Sequence, residues 1–288
     1  MLGTRYLEHL SPGDLRLLAE FADTDAAELA SRPRAIEGLV ADPRLHRRLF
    51  ERGPEPFLVA STFLVFAVLI ERCAAELRES PFILDRTAVG GRLPVFDAHE
   101  LSDFLEDGSH RLFLAELLAS FTRTASGVVY RRDGRGVRTH RFSELDPIRL
   151  AGLLEVVEES MHPGIYRRLG DCALFLTGVF PDHSTSWLSK PLNSERLHRA
   201  AHSVRRANRS PTPRSGGGLA LLQHLGEASY ELAYVTAPSP RTHSLQVVAR
   251  VARRFDQARR VLDYLADRYL SPVRLRWFGG LGDGGARA

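Results

Sequence analysis

The chain has 288 residues, 44% of them hydrophobic and 26% charged, with a formal net charge of +4. That size and composition support one large or two modest buried cores, and they exclude a disordered chain. Of the 39 basic residues only Lys190 is a lysine, the bias of a GC-rich bacterial coding sequence, so an isolated arginine is background rather than a phosphate contact.

Residues 1–56 read as an N-terminal subdomain of short helices, each opened by its own punctuation: Ser11 before Pro12, then Asp25, Pro33 and Pro43. The near-continuous apolar run Phe57–Ile70 is shorter than the roughly 20 residues a bilayer-spanning helix needs. It predicts a buried helix to about Glu79, and no membrane insertion is expected. The stretch "MLGTRYLEHLSPGD" lacks the apolar core of a secretory signal, which makes the cytoplasm the expected compartment. Cys73 and Cys172 stand in apolar helical runs and are expected to pack as small hydrophobes.

A short strand is expected at Leu93–Phe96, then a helix capped by Asp97 and Glu100 whose acids, with Asp103 and Asp107, form one negative stripe. The helix from about His110 to Thr124 is apolar around most of its circumference and belongs to the core. The segment "SGVVYRRDGRGVRTHRF", Ser126–Phe142, is the one clear β signal. Asp133-Gly134 is the favoured two-residue turn, pairing Tyr130 with Val137 and Val128 with Thr139. That register gives a core-facing apolar side and a solvent side with Arg131, Arg138 and His140. The alternative, a turn at Gly134-Arg135, sets Arg131 opposite Arg138 and is disfavoured by like-charge repulsion.

Helices are expected at about 148–161 and 164–180, a loop from Pro181 to Lys190, and a basic helix from Asn193 or Ser194 to about Asn208. The run "RSPTPRSGGG" reads as a flexible linker; helices at 219–236 and 244–270 and a frayed tail complete the chain. The expected fold is therefore mainly α, a multi-helix globular bundle with one short β-hairpin at about 128–142. Its parts are 1–56, a helical core 57–180 carrying the hairpin 127–142, a loop, basic helix and linker at 181–218, C-terminal helices 219–271 packing on the core, and a tail 272–288.

Charge is unevenly spread along this plan. Residues 126–142 hold five arginines and one acid, residues 190–214 hold seven basic residues and one acid, and the remainder carries −6. An anionic partner, nucleic acid or an acidic protein surface, is expected at Arg131, Arg135, Arg138, Arg196, Arg199, Arg205 and Arg206. A winged-helix reading of the hairpin is opposed by its neighbours: the helix before it is apolar rather than polar, and the acidic stripe would repel phosphate.

Chemistry is sparse. Two Glu-x-x-His pairs, Glu159 with His162 and Glu195 with His198, share helix faces, as do His224, Glu227, Glu231 and Tyr234. About one such pair arises by chance at ordinary composition, so no metal is expected, with Glu159, His162, His224 and Glu227 the residues to inspect. Asp171 lies at the edge of an apolar run, with Arg167 and Arg168 one turn earlier, and is costly there unless paired, so an arginine or tyrosine from a neighbouring helix is expected to meet it. If the protein is catalytic, Asp171, Tyr230 and Glu231 are the acid–base candidates. No nucleotide-loop, nucleophile-elbow or zinc spacing occurs, and no cofactor is expected.

The reading is a non-catalytic regulatory or accessory protein that binds an anionic partner. Its alternative is a helical enzyme or small-ligand or metal-binding protein with a His/Glu/Tyr-lined pocket between helices 164–180 and 219–236. The oligomeric state is left open.

Overall fold

The computed structural model describes residues 2–51, 55–86, 91–133, 136–208 and 217–279. They form a mainly α protein with two small antiparallel ribbons, and the chain divides into two units. Unit 1 comprises Met1–Thr122 with Asp267–Pro272; unit 2 comprises Arg123–Ala266 with Val273–Ala288.

Unit 1 begins with five short helices: α1 (Leu2–His9), α2 (Pro12–Phe21), α3 (Ala26–Ser31), α4 (Pro33–Val40) and α5 (Pro43–Phe50). Prolines occupy the first turns of α2, α4 and α5, where a missing N–H costs nothing. Ser11 and Asp14 form a reciprocal capping box at the start of α2. Asp14 is fully buried because its second carboxylate oxygen accepts from the Ser61 backbone N–H at 2.7 Å. Ser61 in turn caps α6 (Thr62–Glu79), so one carboxylate joins two helix starts.

Helix α6 is buried continuously from Phe63 to Glu71, as its all-round apolar sequence requires. It packs with α7 (Ala98–Glu106) and α8 (Gly108–Phe121). Its buried Glu71 accepts from the Tyr6 hydroxyl at 3.2 Å and from Arg111 Nε at 2.7 Å, which compensates a charge that would otherwise be costly there. Between α6 and α7, β1 (Ile83–Arg86) pairs with β2 (Arg92–Val95), a second ribbon where the sequence pointed only to a short strand near Leu93.

Unit 2 opens with the hairpin β3 (Ser126–Asp133) and β4 (Gly136–Ser143). Its register is the one that charge repulsion disfavoured: Arg131 pairs with Arg138, and Tyr130 with Thr139. The two-residue shift leaves Val128, Tyr130 and Val137 together on one face, and this expected core face is the outer one, with the three exposed by 40%, 69% and 60%. Two features accommodate the observed register. Arg131 lies in solvent, where like charges repel weakly, and its guanidinium donates to the Glu155 carbonyl at 2.8 Å. Gly136 adopts φ 139°, a conformation reserved for glycine, so the second strand starts one residue later than the Asp-Gly signal implies. The inner face lies on α9 (Pro147–Leu153), where His140 Nε2–H donates to the Arg149 carbonyl at 2.8 Å.

The centre of unit 2 is α10 (His162–Gly178) against α13 (Gly218–Thr236). The helices approach closely at Gly170, where a Cβ would sit 2.3 Å from the Tyr230 ring. Around them lie α11 (Pro181–Leu188), α12 (Pro191–Asn208), α14 (His243–Arg253), α15 (Phe255–Leu265) and α16 (Arg274–Trp277). Residues 181–188 are thus helix and not the expected loop: Pro181 takes the first turn, and buried Ser184 is tied to the Leu176 carbonyl at 3.0 Å. The expected helix 244–270 is broken at Arg254, where φ −124° and ψ 34° turn the chain so that Phe255 packs against Tyr230.

The charge divides with the units. Residues 1–122 hold 13 arginines and 20 carboxylates, and Asp267 and Arg268 cancel, so unit 1 carries −7 and unit 2 carries +11 of the net +4. Among the described residues no helix is long and apolar enough to cross a membrane.

Candidate functional site

Unit 2 contains a cavity of about 1120 Å³ bounded by α9, the start of α10, α12, α13 and the β4 strand. It exceeds the roughly 300–1,000 Å³ typical of small-ligand pockets. Apolar wall comes from Ile148, Ala151, Leu154, Val204 and Leu221. Five histidines also line it: His140, His162, His198, His202 and His224. Tyr166, Glu155, Glu195, Arg196 and Arg199 complete its polar lining.

Each group is placed by a local rule. Gly152 on α9 has no side chain to collide with the His140 ring, which passes 2.4 Å from where a Cβ would be. Because a carbonyl can only accept, the bond to Arg149 puts the His140 proton on Nε2. His162 opens α10 just before Pro163, and its ring meets Tyr166 edge-on at 6.1 Å. Burial raises the Tyr166 phenol above its ordinary value, so it is a hydroxyl and not a phenolate at neutral pH.

His224 lies on α13, its Nδ1 3.5 Å from Glu227 Oε2, while Gln223 donates to the other Glu227 oxygen at 3.2 Å. On α12, residues 195, 198, 199 and 202 recur at helical spacing and turn a polar face to the cavity. This face is exposed, and Glu195 stands 4.0 Å from Arg199. The two arginines and two glutamates of the lining cancel formally, leaving the imidazoles as its distinctive chemistry.

Two of those imidazoles are incomplete. His162 Nε2 and His224 Nε2 are buried and lack a hydrogen-bond partner among the described residues. A buried polar atom without a partner carries a desolvation cost.

The residues singled out from sequence fall into separate groups. His162, His224, Arg196 and Arg199 meet at the cavity, with Glu227 behind His224. Glu159 lies on the exposed turn Glu159–Met161. No group of three or more His, Cys, Asp or Glu side chains able to hold a metal is found among the described residues.

Asp171 and Tyr230 are buried together away from the lining. The Tyr230 hydroxyl donates to Asp171 Oδ1 at 2.7 Å, and Arg167 Nε contacts both carboxylate oxygens at 2.8 and 3.1 Å. Burial, then the Asp171 charge, hold the Tyr230 phenol well above its usual range. This is a satisfied buried ion pair with a tyrosine donor. Glu231 is exposed on α13.

Of the hairpin arginines, Arg131 is engaged at the Glu155 carbonyl, Arg135 lies outside the described residues, and Arg138 is described only as a strand position opposite Arg131. Arg205 and Arg206 are placed on α12, with side chains outside the described residues. Sequence reasoning missed Glu155, His202 and the inward turn of His140. For His202 the signal was present, since it continues the Glu195/His198 face by one turn.

Comparison with protein-family models, with curated proteins and with solved structures finds no match to this chain.

Proposed function

We propose that unit 2 is a ligand-binding module whose cavity takes a small molecule bearing an anionic group. The observation that carries this is the convergence of five histidines, Arg196 and Arg199 on one cavity in the half of the chain that holds +11. The anionic group belongs at Arg196 and Arg199 on the exposed face of α12, where a guanidinium can make paired hydrogen bonds to phosphate or carboxylate. The apolar wall and the imidazoles then accommodate the rest of the molecule. The binding is read as regulatory, because the acid–base candidates Asp171 and Tyr230 are spent on each other inside the helix pair.

The test is thermal unfolding with pyrophosphate, citrate and AMP at several salt concentrations. A ligand at 100 times its Kd stabilises by about 2.7 kcal/mol, well within measurable range. The wild type is expected to be stabilised by at least one of these anions, and Arg196→Glu with Arg199→Glu to lose that shift while keeping its own melting temperature. No shift with any of them would sink the proposal.

A second reading is favoured by the basic content of α12 itself: Arg196, Arg199, Arg205 and Arg206 on one helix suit an anionic macromolecule. It predicts binding to random-sequence RNA that weakens steeply with salt, and absence of binding at low salt removes it.

A further inference from the structure

We infer that the outer face of the β3–β4 hairpin binds single-stranded RNA, with a base stacked on Tyr130 and phosphates held by Arg132 and Arg141. This site shares no residue with the cavity lining or with α12, so it stands apart from both readings above. The strand register carries it. Val128 lies opposite Arg141, Tyr130 opposite Thr139 and Arg132 opposite Val137, so these six side chains share one face. All six are exposed. The other face is the one that packs, through Arg131 on the Glu155 carbonyl and His140 on the Arg149 carbonyl.

An aromatic ring left in water between two valines is surface that a partner covers. The charge around it says which partner. Arg132 stands about 6.8 Å from Tyr130 along its own strand. Arg141 stands on the diagonal, about 7–8 Å away and toward the other end of the hairpin. Neither arginine is in an ion pair among the described residues, and none of the six is acidic. An isolated arginine is background in this chain, but here two of them bracket one exposed ring.

An extended single strand offers a flat heterocycle and a phosphate with each nucleotide, which meets the ring and the guanidinium groups together. A duplex keeps its base faces stacked inside and would leave Tyr130 uncovered. An acidic protein surface answers the arginines but not the ring. Tyr130 and Thr139, directly paired, both carry hydroxyls that can bond a ribose 2′-OH, the group that DNA lacks.

The experiment is fluorescence anisotropy of the full chain with a labelled oligouridylate of about twelve nucleotides, at a series of salt concentrations. Wild type is expected to bind at low salt, and Tyr130→Thr to bind about fivefold or more weakly. Tyr130→Phe, which keeps the ring, should stay within about twofold of wild type, because stacking uses the π-face. Arg132→Gln with Arg141→Gln should reduce the slope of log affinity against log salt by about 1.4, the share of two phosphate contacts. The substituted side chains are exposed, so each variant should melt with wild type.

If Tyr130→Thr binds as wild type while Arg196→Glu with Arg199→Glu does not, the RNA lies on α12 and the hairpin assignment falls alone. Equal affinity for the matching oligodeoxyuridylate overturns the choice of RNA. Binding of poly-glutamate in place of the oligouridylate assigns the face to an acidic protein and overturns the proposal. If wild type binds no oligouridylate at low salt, the proposal falls with the RNA reading of α12, and the anion site in the cavity stands.

Discussion

Asp171 shows how one residue's burial dictates its neighbours. A carboxylate in the middle of α10 needs compensation, and Arg167 one turn earlier and Tyr230 from α13 supply it. Tyr230→Phe should cost about 1.5–3 kcal/mol, the range for a hydrogen bond to a charged group, measured by urea denaturation. An unchanged midpoint would mean the hydroxyl contributes nothing. The need for a partner was legible in the sequence because charge beside an apolar run has few solutions; that Tyr230 rather than Tyr166 supplies it depends on the α10–α13 approach at Gly170.

Two histidines of unit 1 respond to pH with opposite sign. His9 Nε2 lies 2.9 Å from Glu116, and that hydrogen bond raises its pKa above 6.5 against a smaller opposing effect of burial. Its stabilisation is complete below the unfolded value and is lost as pH rises through the folded one. His46 is lowered, first by burial and then by Arg72, so its stabilisation is present above 6.5 and is lost as pH falls through the folded value. His9→Asn should therefore flatten the alkaline decline of the melting temperature, and His46→Leu the acid one.

At the scale of elements, helix starts were the most legible feature, because Ser11, Asp25, Pro33 and Pro43 act locally. Strand register was not, because it answers to tertiary contact. The Asp-Gly turn signal and the apolar alternation agreed with each other, and both yielded to the docking of His140 on α9 and the conformation of Gly136. Tyr130→Thr tests which face of the hairpin is covered: on the outer face it should change stability by less than about 0.5 kcal/mol, whereas a core tyrosine would cost several.

The cavity was legible only in fragments for the same reason. His162, His224, Arg196 and Arg199 were visible as separate candidates for metal or anion binding. Their meeting requires α9, α10, α12 and α13 to be in place. The segment 181–188 shows the limit from another side: its polar composition reads as loop, yet Pro181 and Ser184 anchor a helix there.

At the scale of the whole molecule, the C-terminal part of the chain serves both units. Asp267–Pro272 completes unit 1, where Arg268 reaches Glu76 at 3.4 Å, and the residues after it return to unit 2. There Phe278 is buried against Phe175 and Phe180, with ring centroids 5.0 and 6.0 Å away. Deleting residues from 267 onward should therefore lower the unfolding temperature of both units, observable as a shift in every calorimetric transition. A truncated chain with one transition at its full-length position would contradict this.

That return of the chain also sets an order of events on the ribosome. A domain read from the N-terminus ordinarily completes itself before the next emerges, at about 5–20 residues per second. Unit 1 cannot, because its last six residues are made only after residues 123–266. The N-terminal helices must wait roughly 7–30 s for that stretch to be translated. Ribosome-arrested chains ending before residue 266 should accordingly stay protease-sensitive between residues 1 and 122, and chains long enough to expose residue 272 should not. Translation speed through the second half of the message thus governs how long the first half remains available to chaperones.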